Sequence, residues 1–334
     1  MLPAAAAGAC RSFDVARPSW KRFATKERTD NTDLSVRVGD VALPNPIMCA
    51  SGTAGHGAEL GAFFDLDAAG AVVIKSLLPE PWAGNAAPRV HDTPAGMINS
   101  VGLQGPGIQG WIDTYLDDLT ASGARVVASI WGRSVAEYGR AAELLAPVAD
   151  RLVAVEANVS CPNVEDRDRM FAHSPDATRD AVKAAASAGL PVWAKLSPNI
   201  GDIVPIAAAA QEAGASAVTL SNTMIGLAID IETRRPVLGN GKGGLSGPAI
   251  RPIAVRIIHD CFQSLPELPI VGVGGVACGE DAIELMLAGA AAVQVGTATF
   301  ADPRAVVRIR DEVALWCGSH GVDRVSELTG QAHT

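Results

Sequence analysis

The sequence lacks any pair of cysteines at metal-binding spacing. Six cysteines are scattered along the chain without a C-x-x-C motif, which argues against zinc, c-type haem and iron–sulfur sites. They indicate reduced thiols in a cytoplasmic protein rather than a disulfide framework. The histidines show no metal-ligand spacing either, so no metal is expected. The cysteines are Cys10, Cys49, Cys161, Cys261, Cys278 and Cys317.

Long apolar runs are also absent. None approaches the roughly 20 residues that a membrane-spanning helix needs, and the alanine run at residues 4–7 is too short for a secretion signal. We therefore expect a cytoplasmic protein without membrane contact. Residues 1–30 show no periodicity and are predicted to be a disordered tail, and residues 31–334 are predicted to form a single domain.

Positive charge and aromatic residues are both scarce. The formal net charge of -9 disfavours nucleic acid or an anionic membrane as a partner, because both are bound through dense cationic surfaces. Aromatic residues make up 4% of the chain and hydrophobic residues 48%, so the core must consist mainly of alanine, valine, isoleucine and leucine. Such a core is typical of strands covered on both faces, which indicates an α/β fold.

What the chain does contain is a repeated unit from residue 47 onward. Each copy has a short β-prone apolar run, a loop rich in Gly, Ser, Asn or Pro, and an alanine-rich stretch with helical spacing. Eight units predict a closed (β/α)8 TIM barrel, preceded by an N-terminal β-hairpin around Gly39-Asp40. The predicted strands are residues 47–50, 71–75, 126–129, 152–158, 192–195, 217–222, 270–274 and 292–295.

Two loops after predicted strands are unusually long. They span residues 77–99 and 225–247, whereas such loops usually have about 2 to 6 residues. Both lie at the carboxyl ends of strands, the face on which barrel enzymes carry their active sites. We therefore expect these two insertions to form the walls of a pocket.

Several predicted strands end in chemically active side chains. Cys161 follows the fourth strand beside Pro162, where a thiol has little apolar surface to fill, and it is a candidate general base. The alternative is a packing residue, the commoner role of cysteine. Lys75 and Lys195 end two other strands, where an unpaired buried ammonium would be costly, so we expect them to bind a ligand rather than to be surface charges.

Asparagines and glycines are the remaining candidates for the predicted pocket at the carboxyl ends of the strands. Asn99, Asn158, Asn163 and Asn222 are either turn residues or amide donors and acceptors for a planar ligand. Glycines follow the seventh and eighth strands, where barrels often bind phosphate through backbone N–H groups, and close backbone packing is the alternative explanation. These last residues are Gly274, Gly275 and Gly296, followed by Thr297.

Eight short motifs resemble those of a known family, in the same order. N-V-S-C-P-N followed by K-L-S-P and S-N-T is a specific combination, and the similarity covers nearly everything after about residue 35. The motifs are S-G-T-A-G at residues 51–55, I-K-S at 74–76, N-S-V-G-L-Q at 99–104, N-V-S-C-P-N at 158–163, A-K-L-S-P-N at 194–199, S-N-T at 221–223, G-G-L-S-G-P-A-I at 243–250 and G-V-G-G at 272–275. Together they resemble the FMN-dependent dihydroorotate dehydrogenases, in particular class 1B.

The resemblance implies an oxidoreductase that converts dihydroorotate to orotate in de novo pyrimidine synthesis. Cys161 would be the base that removes the proton from C5 while a hydride leaves C6 for N5 of FMN. Lys75 would bind the substrate carboxylate and approach the flavin. The pyrimidine ring would be held by Asn99, Asn158, Asn163, Asn222 and Thr223.

The resemblance also implies the flavin contacts. Lys195 would lie near the N1 and C2 carbonyl edge of FMN, where reduction places negative charge and a fixed cation stabilises the reduced form. The ring system would contact Ser51, Gly52, Lys75, Ser76, Ser129 and Asn158. The ribityl chain and phosphate would contact Gly247, Gly274, Gly275, Gly296 and Thr297.

The resemblance to class 1B also implies a partner subunit. Class 2 relatives use serine as the base and carry an amphipathic amino-terminal extension, so Cys161 and the unpatterned tail favour class 1. Residues 222–247 are similar to type 1B, in which a separate FAD and iron–sulfur subunit passes electrons to NAD. Because this chain has neither a cluster motif nor a dinucleotide fingerprint, such a subunit is expected, as is a homo-oligomer.

Two positions depart from the family pattern. Ser129 stands where the family usually has an asparagine that touches flavin and substrate, and Gly105 stands where N-P-G is more usual. Three alternatives therefore stay open. One is a dihydropyrimidine dehydrogenase-like enzyme that reduces uracil-type rings, although Asn163 stands where that enzyme usually has histidine. The others are a phosphate-binding lyase or isomerase that uses Lys195, and a flavin-binding module without catalysis.

Overall fold

A closed barrel of parallel strands forms the centre of the structure. The computed structural model describes residues 32–160, 162–163 and 169–333, so the predicted tail and Cys161 lie outside the described residues. Each barrel strand pairs with the next, and the eighth returns to the first, with Val293 opposite Ile47. In chain order the eight strands are Ile47–Cys49, Val72–Val73, Val126–Ile130, Ala154–Asn158, Val192–Lys195, Ala217–Leu220, Ile270–Val273 and Ala292–Val295.

The predicted (β/α)8 barrel is therefore confirmed. Every residue of the eight strands is buried, because helices cover the outer face and side chains fill the interior. Five strands are shorter than predicted, among them the second and the sixth. The second is only Val72–Val73, since one residue pair, Cys49 with Val72, joins it to the first strand. The sixth ends at Leu220, two residues before Asn222.

α-Helices follow every barrel strand except the first, which is followed by the short 3-10 turns Glu59–Ala62 and Leu66–Ala68. Two helix ends show the expected types of residue. Val135–Leu145 begins after Ser134, whose hydroxyl accepts a hydrogen bond from the amide of Glu137. Gly214, with φ of 94°, ends the helix that precedes the sixth strand. The helices are Ile108–Trp111, the π turn Ile112–Leu116, Asp117–Ala121, Val135–Leu145, Pro175–Ala185, Val204–Glu212, Arg251–Ser264, Gly279–Leu287, Ala298–Ala301 and Ala305–His320. In the described part of the chain, no helix combines the length and apolarity needed to cross a membrane.

The predicted N-terminal hairpin is present and packs against the bottom of the barrel. Val36–Val38 pairs antiparallel with Val41–Leu43 around Gly39. A side chain at Gly39 would place its Cβ 2.8 Å from the carbonyl oxygen of Ser216, just before the sixth strand. The turn therefore packs directly against the amino-terminal end of the barrel, on the side opposite the predicted site.

The two long insertions meet above the carboxyl ends of the strands. They contribute two strands each to one antiparallel sheet, in which Asn99 of the first insertion is opposite Gly244 of the second. We call this the roof sheet. Its strands, in spatial order, are Val90–Thr93, Gly96–Asn99, Gly243–Ser246 and Met224–Gly226. A smaller pair, Ile229–Asp230 with Arg235–Pro236, extends from the second insertion.

Candidate active site

A cavity of about 850 Å³ opens at the carboxyl ends of the barrel strands. Strand ends form one side and the roof sheet forms the other, and a volume of this size is typical of sites for small molecules and cofactors. Most of the predicted site residues line it. They are Ser51, Gly52, Lys75, Ser76, Asn99, Asn158, Lys195, Asn222, Thr223, Gly247, Gly274, Gly275, Gly296 and Thr297.

Three predicted site residues are not among the described residues that line the cavity. Cys161 and the side chain of Asn163 lie outside the described residues, although the backbone of Asn163 pairs with Arg169 in a short antiparallel ladder. Ser129 is described and is fully buried. Its hydroxyl lies 2.8 Å from that of Ser76, so Ser129 reaches the cavity only through Ser76.

Asn158 is the centre of a hydrogen-bonded network at the strand ends. Its Nδ2 donates to the hydroxyl of Ser76 at 3.2 Å, and its Oδ1 accepts from Nδ2 of Asn222 at 3.4 Å and from the amide of Ser160 at 3.2 Å. The phenol of Tyr138 donates to the carbonyl of Asn158 at 2.7 Å. Partners on several elements therefore fix the carboxamide and the turn that leads to Cys161.

Lys75 follows the second strand, directly before Ser76 of this network. Its amide donates to the carbonyl of Gly55 at 2.9 Å, which ties the residue to the loop after the first strand. The ammonium lies 3.5 Å from where a Cβ on Gly52 would be, and Gly52 has a φ of 91°. The lysine head and the bare backbone of Gly52 thus form one surface of the cavity.

Lys195 lies deeper, with a buried acidic partner. Its Nζ is 3.7 Å from Oε1 of Glu156, a side chain with no exposed surface. The other carboxylate oxygen, Oε2, accepts hydrogen bonds from Thr219 at 3.0 Å and from Gln294 at 2.8 Å. Sequence reasoning missed Glu156. The available signal was its place two residues before Asn158 in a strand, which puts both side chains on the same, inward face.

The roof sheet brings Asn99 and Thr223 to the cavity. Asn99 donates from Nδ2 to the carbonyl of Gly244 at 3.3 Å. Asn199, which sequence reasoning quoted in a motif but gave no role, donates to the carbonyl of Thr223 at 3.0 Å and accepts from the amide of Ile225 at 2.7 Å. Asn199 therefore holds the start of the second insertion against the barrel.

Glycines form the far end of the cavity. Gly275 has a φ of 78°, and a Cβ there would lie 2.5 Å from Cβ of Arg251. Gly247 has a φ of 94°, and a Cβ there would lie 2.6 Å from the Cα of Gly96. Close packing thus requires glycine at both positions, and the same positions present bare backbone to the cavity.

The described cysteines are poor candidates for a base. Burial raises the pKa of Cys49 and of Cys261 to about 12 and that of Cys317 to about 11, and it also raises the pKa of Cys278. Each is therefore a neutral thiol near pH 7.

Comparison with known proteins agrees with the motifs. The sequence profile of the family described as Dihydroorotate dehydrogenase matches residues 33–315. A protein of Geobacter sp. (strain M21) is 44% identical over 299 residues, which are 89% of this chain and 97% of that protein. Proteins of Alkaliphilus oremlandii (42% identical; 90% of this chain, 98% of the relative) and Desulforudis audaxviator (44%; 90% and 97%) are similarly close. All three are named dihydroorotate dehydrogenase B (NAD(+)), catalytic subunit. The chain belongs to the dihydroorotate dehydrogenase family.

Proposed function

We propose that this protein oxidises dihydroorotate to orotate in de novo pyrimidine synthesis, with FMN as cofactor and Cys161 as general base. The observation that carries the proposal is the cavity. It brings together residues from motifs that are far apart in sequence, with Asn99, Asn158 and Asn222 as amides and Lys75 and Lys195 as cations. A planar anionic substrate with alternating N–H and C=O groups suits that set.

The residues that line the cavity fit FMN. At one end the network around Asn158 and Ser76 offers hydrogen bonds to a flat ring, and at the other end Gly247 and Gly275 present backbone without side chains. When bound, FMN supplies the acceptor for the hydride that leaves C6 of dihydroorotate. Ser51, Gly52, Gly274, Gly296 and Thr297 line the same space, and we propose that they contact the cofactor as well.

The remaining roles, substrate binding and proton removal, belong to side chains of the protein. Lys75 binds the substrate carboxylate, and Asn99, Asn158, Asn222 and Thr223, with Asn163, orient the ring. Cys161 takes the proton from C5. The raised pKa values of the other described cysteines support Cys161 as the thiol for this task, since a base near pH 7 needs accessible thiolate.

We also propose a separate electron-transfer subunit that carries FAD and an iron–sulfur cluster and passes electrons to NAD. The support is that the relatives are named catalytic subunits of a NAD(+) enzyme. Exposed apolar side chains on the second insertion, at Ile225, Leu227, Ile229 and Ile231, support a protein contact near the cavity mouth, with that subunit or with a second copy of the chain. The scattered cysteines support a cytoplasmic location.

The test uses the purified full-length chain with FMN and a dye as electron acceptor. We expect a yellow protein that oxidises dihydroorotate, and a Cys161→Ala variant that keeps the flavin spectrum but loses oxidation. Turnover of dihydrouracil without dihydroorotate would instead identify a dihydropyrimidine dehydrogenase-like enzyme. A colourless protein in which borohydride traps an imine on Lys195 would identify a lyase. Bound flavin without turnover of either substrate would indicate a flavin-binding module without catalysis.

A further inference from the structure

Glu156 is a buried charge to which the proposed mechanism gives no task. It lies in the middle of the fourth strand, on the same face as Asn158, and its side chain has no exposed surface. A carboxylate taken out of water is strongly unfavourable unless hydrogen bonds and an opposite charge compensate it. The structure supplies both kinds of partner.

The hydrogen bonds and the charge reach different oxygens. Thr219 and Gln294, from the sixth and eighth strands, both donate to Oε2 and thereby fix the direction of the carboxylate. Oε1 points to the ammonium of Lys195 at 3.7 Å and has no hydrogen-bond partner among the described residues. At that distance the lysine is attracted by charge while its head still lines the cavity.

We propose that Glu156 is a positioning residue that sets the location and the effective charge of Lys195, and through it the reduction potential of the bound flavin. The inference rests on the proposed flavin function and deepens it. Reduction places negative charge on the flavin, so an uncompensated cation beside it favours the reduced form. Glu156 cancels part of that positive charge, so the intact pair favours the reduced form less than Lys195 alone would.

The perturbation is Glu156→Gln, which keeps the size and an acceptor for Thr219 and Gln294 but removes the charge. We expect the equilibrium ratio of reduced to oxidised flavin at a fixed ambient potential to rise about tenfold, which is about 30 mV for a two-electron couple. Glu156→Asp keeps the charge and serves as the matched control, with a ratio within about threefold of wild type. The readout is the midpoint potential of the flavin-loaded full-length chain, measured by equilibration with redox dyes.

A second pair of variants covers the case in which Glu156→Gln alone does not fold. In a Lys195→Gln background the ammonium through which Glu156 acts is absent, so replacing Glu156 should change the potential little. Lys195→Gln and Lys195→Gln/Glu156→Gln should therefore have potentials that agree within about a twofold change in the ratio. A tenfold difference between them would show that Glu156 acts independently of Lys195.

The outcomes separate the two proposals. A flavin-loaded wild type whose potential is unchanged or lowered by Glu156→Gln overturns the role of Glu156 and leaves the proposed function intact. The same conclusion follows if Glu156→Asp shifts the potential as far as Glu156→Gln, because packing rather than charge would then be the cause. A wild-type chain that binds no flavin overturns the proposed function and this inference together.

Discussion

Replacing Lys195 with methionine should destabilise the protein strongly, because it leaves Glu156 buried without a counter-charge. The ion pair is almost fully out of water, with side-chain exposures of 7% for Lys195 and 0% for Glu156 and a separation of 3.7 Å. At an effective dielectric constant of about 20, Coulomb attraction across that distance is about 4.5 kcal/mol. Breaking a buried pair on one side typically costs about 3 to 5 kcal/mol, and we expect a loss in that range.

Two further variants make the measurement specific. Lys195→Met/Glu156→Gln removes both charges, and its stability should return to within about 1 to 2 kcal/mol of wild type, since neutral replacements of a buried pair are often tolerated. Arg256→Met is the matched surface control. It breaks the exposed pair with Asp260 at 2.9 Å and should cost less than about 1 kcal/mol.

The assay is urea unfolding followed by circular dichroism at pH 7. Bound small molecules are removed beforehand, so that differences in ligand affinity do not enter the comparison. A loss for Lys195→Met no larger than that for Arg256→Met would refute the reasoning, as would a double variant that is less stable than Lys195→Met alone. Either result would mean that solvent or another group compensates Glu156.

Three other changes test other parts of the site. Cys161→Ala should lower the rate of dihydroorotate oxidation by about 10² to 10⁴, measured with a dye acceptor, while flavin absorbance is retained; unchanged turnover would remove Cys161 from the mechanism. Gly275→Ala should cost about 1 to 3 kcal/mol in urea unfolding and weaken flavin retention, because of its φ of 78° and its contact with Arg251; wild-type values would show that the turn relaxes freely. Iodoacetamide at pH 7.5 should leave Cys49 and Cys261 unmodified by mass spectrometry, because burial raises the pKa of each to about 12; rapid labelling of either would contradict the burial.

The barrel was predictable from the sequence because its units repeat. Short apolar runs alternate with helical stretches, and closing eight of them places all carboxyl ends at one edge. Residues as distant as Ser51, Asn158 and Thr297 could therefore be predicted to share a cavity before any contact was known, and they do line one cavity. Strand lengths were less predictable, since they depend on how many ladder bonds each neighbour allows, as at Val72–Val73.

Contacts that depend on register between distant strands could not be predicted. Glu156 and Gln294 are 138 residues apart and meet only because strands four and eight face each other across the interior. The contact of Ser129 with Ser76 likewise joins residues of two different strand ends, 53 positions apart in the chain. The sequence did not indicate the pairing of Asn99 with Gly244 either, because both strands are short and the second is rich in glycine.

The roof sheet has a consequence for how the cavity is completed. Its inner strands, Gly96–Asn99 and Gly243–Ser246, come from insertions after the second and the sixth barrel strands. A nascent chain that has emerged only as far as the fifth strand can pair Asn99 with Val90 but lacks Gly244 on the other side. The roof sheet can therefore be completed only after Gly243–Ser246 has been made, when most of the polypeptide has left the ribosome.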